Sequence, residues 1–205
     1  MTDYHFYRPE DGHRLAHSPL NAIVAPRPIG WISTIGQDGT RNLAPYSFFN
    51  LINYDPPLIT FASSGWKDTV ANIEATGEFV WNLATRAQAE AMNATSASVK
   101  PDVDEFTLAK LDTLPSSIVK PPRVAGSPVH FECKMTQLIR LEDRHGEALD
   151  QWLVVGEAVG IHIDPAMLED GIYQTARPVP IMRGGGPADY FAITEDALFK
   201  MKRPD

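Results

Sequence analysis

The chain has 205 residues, a formal net charge of −8 and a single cysteine. This charge disfavours a duplex nucleic-acid partner, because neutralising phosphates requires clustered lysines and arginines. The lone Cys133 cannot form an internal disulfide, which favours a cytoplasmic protein. The sequence shows neither a signal peptide nor an apolar run of about 18 residues, so we expect no membrane association.

Short apolar runs interrupted by proline, glycine, asparagine and aspartate dominate the chain, a pattern typical of β-rich domains. We therefore expect one mainly β domain over residues 1–205, with a few short helices and an excursion at residues 86–128. In chain order, strands are predicted over residues 23–35, 41–47, 58–62, 79–84, 129–136 and 152–163. The turn residues between the first two make them a hairpin.

Two of these strands carry further information. Residues 129–136 alternate regularly, which places His130 and Glu132 on a polar face that we expect to be solvated. Residues 152–163 are apolar on both faces, which indicates a strand that is buried on both sides or crosses the barrel.

Short helices are predicted beside the strands. The first begins at Asp68 or Thr69, either of which could cap it, and ends near Gly77. Two more are expected at residues 86–92 and 104–111, within the excursion.

Recognised catalytic motifs are missing from the sequence. It has no G-x-x-x-x-G-K-[ST] loop, and the glycine run at 184–186 does not fit a dinucleotide-binding fingerprint. The six histidines are scattered and the cysteine is alone, so we expect no metal site. No G-x-S-x-G nucleophile elbow is present, and we assign no catalytic side chain.

The segment that leads into the first helix has the composition of an anion site. Ser63, Ser64, Lys67 and Thr69 lie between a buried strand and the predicted helix start. Free N–H groups and the positive end of the helix dipole would suit a phosphate there, and Lys67 adds a charge. A capped loop that binds nothing is the alternative, and the spacing alone leaves both open.

Four segments then follow one another in a specific order: APRPIGWIST (25–34), NLAPYSFFN (42–50), DPPLITFASS (55–64) and KDT (67–69). A fifth, RGGG followed by Asp189 and Tyr190, comes near the end. Together they resemble the flavin reductase-like family, whose FMN-binding split β-barrels serve as flavin reductases and flavoredoxin-type electron carriers. The closing segment has no histidine near its glycines, and the excursion is longer than the shortest family members need.

The resemblance implies where a flavin would bind. Residues 42–47 would lie along the isoalloxazine ring, while Lys67 and Thr69 would bind the phosphate. Ser63 and Ser64 would contact the ribityl chain or the phosphate. The implied cofactor-binding residues are Arg27, Trp31, Asn42, Ala44, Pro45, Ser47, Phe48, Ser63, Ser64, Lys67, Thr69 and Arg183.

Side-chain chemistry bears on four of these residues. Arg27 and Arg183 stand beside prolines and glycines, and an arginine immobilised there needs an anionic partner. Trp31 and Phe48 are explained equally well as barrel core and as contacts to the flavin ring.

The resemblance also implies an activity: an FMN oxidoreductase that takes hydride from NADH or NADPH and passes electrons to free flavin or a partner protein. Two alternatives stay open. One is a flavoredoxin-like carrier that exchanges electrons only with proteins, and the other is a non-redox barrel that binds another ligand. We expect a homodimer, because an open split barrel leaves sheet faces to cover and two-fold pairing is the commonest solution.

Overall fold

The computed structural model describes residues 2–204. In chain order its helices and strands are α1 (Leu20–Ile23), β1 (Arg27–Pro28), β2 (Gly30–Ile35), β3 (Arg41–Tyr46), β4 (Phe49–Tyr54), β5 (Pro57–Ser64), α2 (Asp68–Thr76), β6 (Glu78–Asn82), α3 (Ala89–Ala94), α4 (Glu105–Leu108), β7 (Thr113–Leu114), β8 (Arg123–Val124), β9 (Val129–Glu142), β10 (Ala148–Ile163), β11 (Leu168–Glu169), β12 (Ile172–Tyr173), β13 (Ile181–Arg183) and β14 (Tyr190–Ala192). Single 3-10 turns occur at Pro9–Asp11, Arg86–Gln88, Pro165–Met167 and Glu195–Ala197. None of the helices in residues 2–204 has the length and apolar character needed to cross a membrane.

Seven strands form one antiparallel sheet in the order β3-β2-β6-β9-β10-β5-β4, so β3 and β4 are its edges. A smaller sheet has the order β1-β13-β14, and the pairs β7-β8 and β11-β12 are short ribbons. This architecture confirms the prediction of a mainly β fold with short helices.

The main sheet is buried on both faces at β2. Neighbouring residues on β2, Trp31 and Ile32, point in opposite directions and belong to two different apolar clusters. The cluster around Ile32 includes Phe79 of β6, whereas the cluster around Trp31 includes Phe106 of α4. The predicted excursion therefore covers one face of the sheet.

Most predicted strands are confirmed within a few residues, but the single strand over 23–35 is wrong. Pro26 and Pro28 cannot donate hydrogen bonds to a continuous ladder. The chain there instead forms α1, then β1, which pairs with β13 of the small sheet, and then β2. Strand β4 was not predicted, because its exposed apolar side chains do not alternate with polar ones.

Helix α2 ends at Gly77 as predicted, with a φ of +72° that favours glycine. Its start differs from the prediction. Lys67 occupies the N-cap position without a capping side-chain bond, and Asp68 is the first helical residue.

The solvated face predicted for β9 is also wrong. Glu132 is 0% exposed, and its carboxylate accepts the consecutive N–H groups of residues 117–119 at 2.7, 2.6 and 2.9 Å. It also accepts a hydrogen bond from His162 Nε2 at 2.5 Å. Burial raises the pKa of Glu132, but the N–H groups and His162 outweigh burial and lower it to about 2.

His130 is buried beside it, and its Nε2 donates to the carbonyl of Val124 at 3.0 Å. Burial lowers the pKa of His130 to about 4, so the ring is neutral at pH 7. The regular alternation of β9 could not reveal this burial, because the loop that covers its polar face comes from residues 113–124.

Of the closing glycines, Gly185 packs directly against α1. A Cβ at Gly185 would stand 2.3 Å from both Cα and Cβ of Ala22, so only glycine allows this approach. A Cβ at Gly186 would meet mainly the carboxylate of Asp189, which is the movable end of a side chain.

We predict that Glu132→Gln lowers the free energy of unfolding by about 3 kcal/mol, because it removes a buried charge that satisfies three N–H groups. Since the pKa of Glu132 is lowered in the folded state, its stabilisation is present above pH 4.5 and is lost as the pH falls towards 2. Urea unfolding between pH 2.5 and 7 should therefore show a weaker acid destabilisation in Glu132→Gln than in the wild type. The exposed Glu142→Gln on the same strand is the control, and equal effects of the two substitutions would contradict the assignment.

We also predict that Gly185→Ala lowers the free energy of unfolding by about 1–3 kcal/mol, because the added methyl group overlaps the backbone of α1. Gly186→Ala should cost less, since the Asp189 side chain can turn away. Thermal unfolding of both variants measures the difference. A cost for Gly186→Ala equal to or larger than that for Gly185→Ala would show that α1 does not pack on this motif.

Candidate functional site

A cavity of about 300 Å³ lies between the sheet edge β3 and the start of α2, and we call it the α2 cavity. Strand β3 contributes residues 42 and 44–46, and the start of α2 contributes Lys67, Asp68 and Thr69. Residues 95–99, Pro101 and Glu105 form much of the remaining wall.

Two further cavities continue from the first along β3. One of about 280 Å³ shares Pro45, Tyr46 and Ser96 with the α2 cavity and extends to Arg183 and Tyr190. The third cavity shares Ser47 with this second one and extends beside β1. The three cavities adjoin through these shared residues, and we call them together the β3 groove.

The Asn42 side chain fixes the floor of the α2 cavity. Its amide Nδ2 donates to Thr34 Oγ1 on β2 at 3.0 Å and to Thr69 Oγ1 on α2 at 2.8 Å. Asn72 Nδ2 donates to the same Thr34 oxygen at 3.1 Å. These buried bonds hold the first turn of α2 against the sheet, so that its N-terminus opens into the cavity.

Tyr46 contributes a polar atom without a protein partner. It is 7% exposed, and its hydroxyl makes no hydrogen bond with the described residues. Burial raises the pKa of Tyr46, although the nearby hydroxyls of Thr69 and Ser63 act in the opposite direction. Neither of these hydroxyls reaches hydrogen-bonding geometry with it, so the phenol retains its capacity to donate.

The charged groups of the α2 cavity are few. Among the described residues that line it, Lys67 is the one cation, and Asp68 and Glu105 are the acids. Glu105 is 5% exposed, and its Oε2 accepts the backbone N–H of Leu43 on the edge strand at 3.1 Å. Burial raises its pKa, with Asp68 and Asp104 adding to the effect.

Nine of the twelve residues implied by the resemblance line the β3 groove: Asn42, Ala44, Pro45, Lys67 and Thr69 in the α2 cavity, and Arg27, Ser47, Phe48 and Arg183 in the adjoining cavities. Trp31, Ser63 and Ser64 do not line it. Trp31 is fully buried, with its Nε1 donating to Thr95 Oγ1 at 3.0 Å. The hydroxyls of Ser63 and Ser64 donate to the Gly65 carbonyl and to Gln151 Oε1.

The two arginines donate hydrogen bonds to backbone carbonyls. Arg27 donates to the carbonyls of Asn21, Val24 and Gly184, and so ties α1 to the closing glycines. Arg183 donates to the carbonyls of Pro187 and Asp189 and lies over the Tyr190 ring. The carbonyls take the place of the anionic partner that we expected from composition.

Sequence reasoning missed three parts of the groove: the Tyr46 phenol, Glu105 and the wall formed by residues 95–101. Tyr46 lies inside the NLAPYSFFN segment, so its position was a usable signal. Glu105 and residues 95–101 carry none, because only the folded excursion brings them to β3.

Comparison with known proteins places this geometry in a family. Residues 24–181 match the model of the flavin reductase like domain. An uncharacterised protein from Aquifex aeolicus is 37% identical over 182 residues, which cover 85% of this chain and 89% of that protein. Nitrilotriacetate monooxygenase component B from Bacillus cereus is 27% identical and covers 98% of both chains, with a TM-score of 0.83.

The fold is shared with a protein that has a split barrel domain, from Shewanella frigidimarina. It is 23% identical, covers 90% of both chains and superposes with a TM-score of 0.79. The predicted split β-barrel is therefore confirmed. The match over residues 24–181 contains four of the five segments that carried the resemblance, and this chain belongs to the flavin reductase-like domain family.

Proposed function

We propose that this protein binds FMN in the β3 groove and carries electrons from NADH or NADPH to free flavin or to a partner protein. The observation that carries the proposal is the α2 cavity, where the N-terminus of α2 and Lys67 meet. From this cavity the groove continues along β3.

The donors of the α2 cavity fit a phosphate ester. The first N–H groups of the nine-residue helix α2 have no intrahelical partner, and the helix dipole favours an anion at this end. Lys67 adds a positive charge at the N-cap position. The Tyr46 hydroxyl is a further donor that the protein itself does not satisfy.

The rest of the groove fits a flat ring. Ala44 and Pro45 give a surface of small side chains, and Pro45 has no N–H group to leave unsatisfied. Ser47 provides a hydroxyl, while Phe48 is 48% exposed and provides an aromatic face. When bound, FMN supplies the hydride and electron transfer chemistry, and these residues bind and orient it.

A partner protein as electron acceptor has support from one relative. The 27% identical Bacillus cereus structure is named as one component of a monooxygenase, so it is one of several parts. A flavoredoxin-like carrier that does not use NAD(P)H is the second candidate, because the closing RGGG segment has no histidine nearby.

We propose further that the protein is a homodimer. Strand β4 is a sheet edge with exposed apolar side chains, among them Leu51, Ile52 and Tyr54, and a second copy would cover them. Sedimentation equilibrium tests this proposal directly. A cytoplasmic location also stays a prediction, which rests on the single cysteine.

Anaerobic titration of the FMN-loaded protein with NADH and with NADPH tests the redox part of the proposal. We expect one of the two nicotinamides to bleach the flavin absorbance stoichiometrically, because the open groove leaves room for a nicotinamide to stack on the ring. Bleaching by dithionite but by neither nicotinamide would contradict the reductase proposal and support the carrier.

Lys67→Ala should weaken FMN binding by roughly one to two orders of magnitude, since a hydrogen bond to a charged group contributes about 1.5–3 kcal/mol. Riboflavin, which has no phosphate, should bind with unchanged affinity. Quenching of flavin fluorescence measures both constants. Lys134→Ala, which removes an exposed lysine from β9, is the control and should change neither. Equal weakening of FMN and riboflavin by Lys67→Ala would remove Lys67 from the phosphate site.

A further inference from the structure

Residues 95–101 form a strap that lines the α2 cavity through all of its residues except Lys100. The strap is fastened at its start to β2 and just beyond its end to β3. At its first residue, Thr95 Oγ1 accepts a hydrogen bond from Trp31 Nε1 of β2 at 3.0 Å, and both residues are buried. The Thr95 hydroxyl in turn donates to the carbonyl of Met92 at 2.7 Å, which ties it to α3.

The second anchor lies just beyond the strap. Asp104 Oδ2 accepts a hydrogen bond from Arg41 Nε of β3 at 2.9 Å, and Arg41 Nη2 bonds to the same oxygen. The next residue, Glu105, accepts the Leu43 N–H. Both anchors depend on buried or half-buried groups, whereas residues 96–98 between them are exposed.

The strap and Glu105 line the same cavity as Lys67 and the start of α2, where a phosphate would bind. A phosphate monoester needs only one cation and a helix N-terminus there. A pyrophosphate would bring a second negative group towards Asp68 and Glu105, and Lys67 is the one cation among the described lining residues, because Lys100 of the strap is exposed and lies outside the lining. An AMP group on the phosphate would also need space beside the strap, which forms much of the cavity wall.

We propose that the strap and Glu105 determine the choice of flavin: they admit FMN, which ends in one phosphate, and reject FAD, which carries an AMP group on that phosphate. This inference rests on the proposed flavin site and extends it to ligand selection. It assigns a role to the excursion that the sequence alone did not explain.

Titrations of the full chain with FMN, FAD and riboflavin test the proposal. We expect the wild type to bind FMN at least tenfold more tightly than FAD, which corresponds to about 1.4 kcal/mol. Glu105→Gln removes the charge but keeps the side-chain volume and an oxygen that can accept the Leu43 N–H. It should therefore lower the ratio of the FMN affinity to the FAD affinity at least threefold. Glu90→Gln, an exposed acid on α3, is the matched control and should leave the ratio unchanged.

Thr95→Val provides a second, independent variant, because it releases the Trp31 anchor without changing the charge. This variant should accelerate FMN release in stopped-flow measurements. It should also reduce the ratio of the FMN affinity to the FAD affinity. Thermal unfolding without flavin separates these effects from a loss of stability, which by itself would not alter a ratio of affinities.

Equal wild-type affinities for FMN and FAD would overturn the inference while leaving FMN binding intact. A ratio that stays constant in both Glu105→Gln and Thr95→Val would overturn it as well. A wild type that binds none of the three flavins would contradict the proposed function itself, and so the two failures are distinguishable.

Discussion

The Asn42 amide joins three elements, β2, β3 and α2, and the geometry of the groove depends on this junction. Both hydrogens of Nδ2 are used, one on Thr34 of β2 and one on Thr69 of α2. As a result the helix start is held beside the edge strand β3 and its N–H groups face the α2 cavity. Without this link the apolar core could still form, but the anion-binding end of the helix would have no fixed position relative to β3.

Other buried polar groups serve the same purpose in the excursion. Glu132 gathers the N–H groups of residues 117–119, and Trp31 holds Thr95. Each bond satisfies a group whose burial would otherwise be costly, and each also fixes a loop that has few apolar side chains of its own. The excursion is therefore attached to the barrel both by these polar contacts and by an apolar cluster that includes its Met92, Phe106 and Val124.

The sequence predicts the parts of this structure that are local. The central strands and α2 are predicted from turn residues, from the alternation of side chains and from the glycine that ends the helix. The ordered segments predict nine residues that line the groove. The prediction failed where distant segments decide the outcome. Glu132 looks solvated within its own strand and becomes buried only because residues 117–119 fold over it. Trp31 lies in one of the segments that resemble the family, but its side chain is on the core face of β2. Both faces of this strand are buried, so alternation along the sequence cannot show which residues face the core and which face the groove.

The central claim is that the groove along β3 is a flavin site, and calorimetric titration of the purified protein with FMN tests it most directly. The account predicts saturable binding of one FMN per chain, with an affinity that falls by roughly one to two orders of magnitude in Lys67→Ala. Absence of binding heat and of any change in FMN absorbance or fluorescence, in protein shown to be folded by circular dichroism, would contradict the claim.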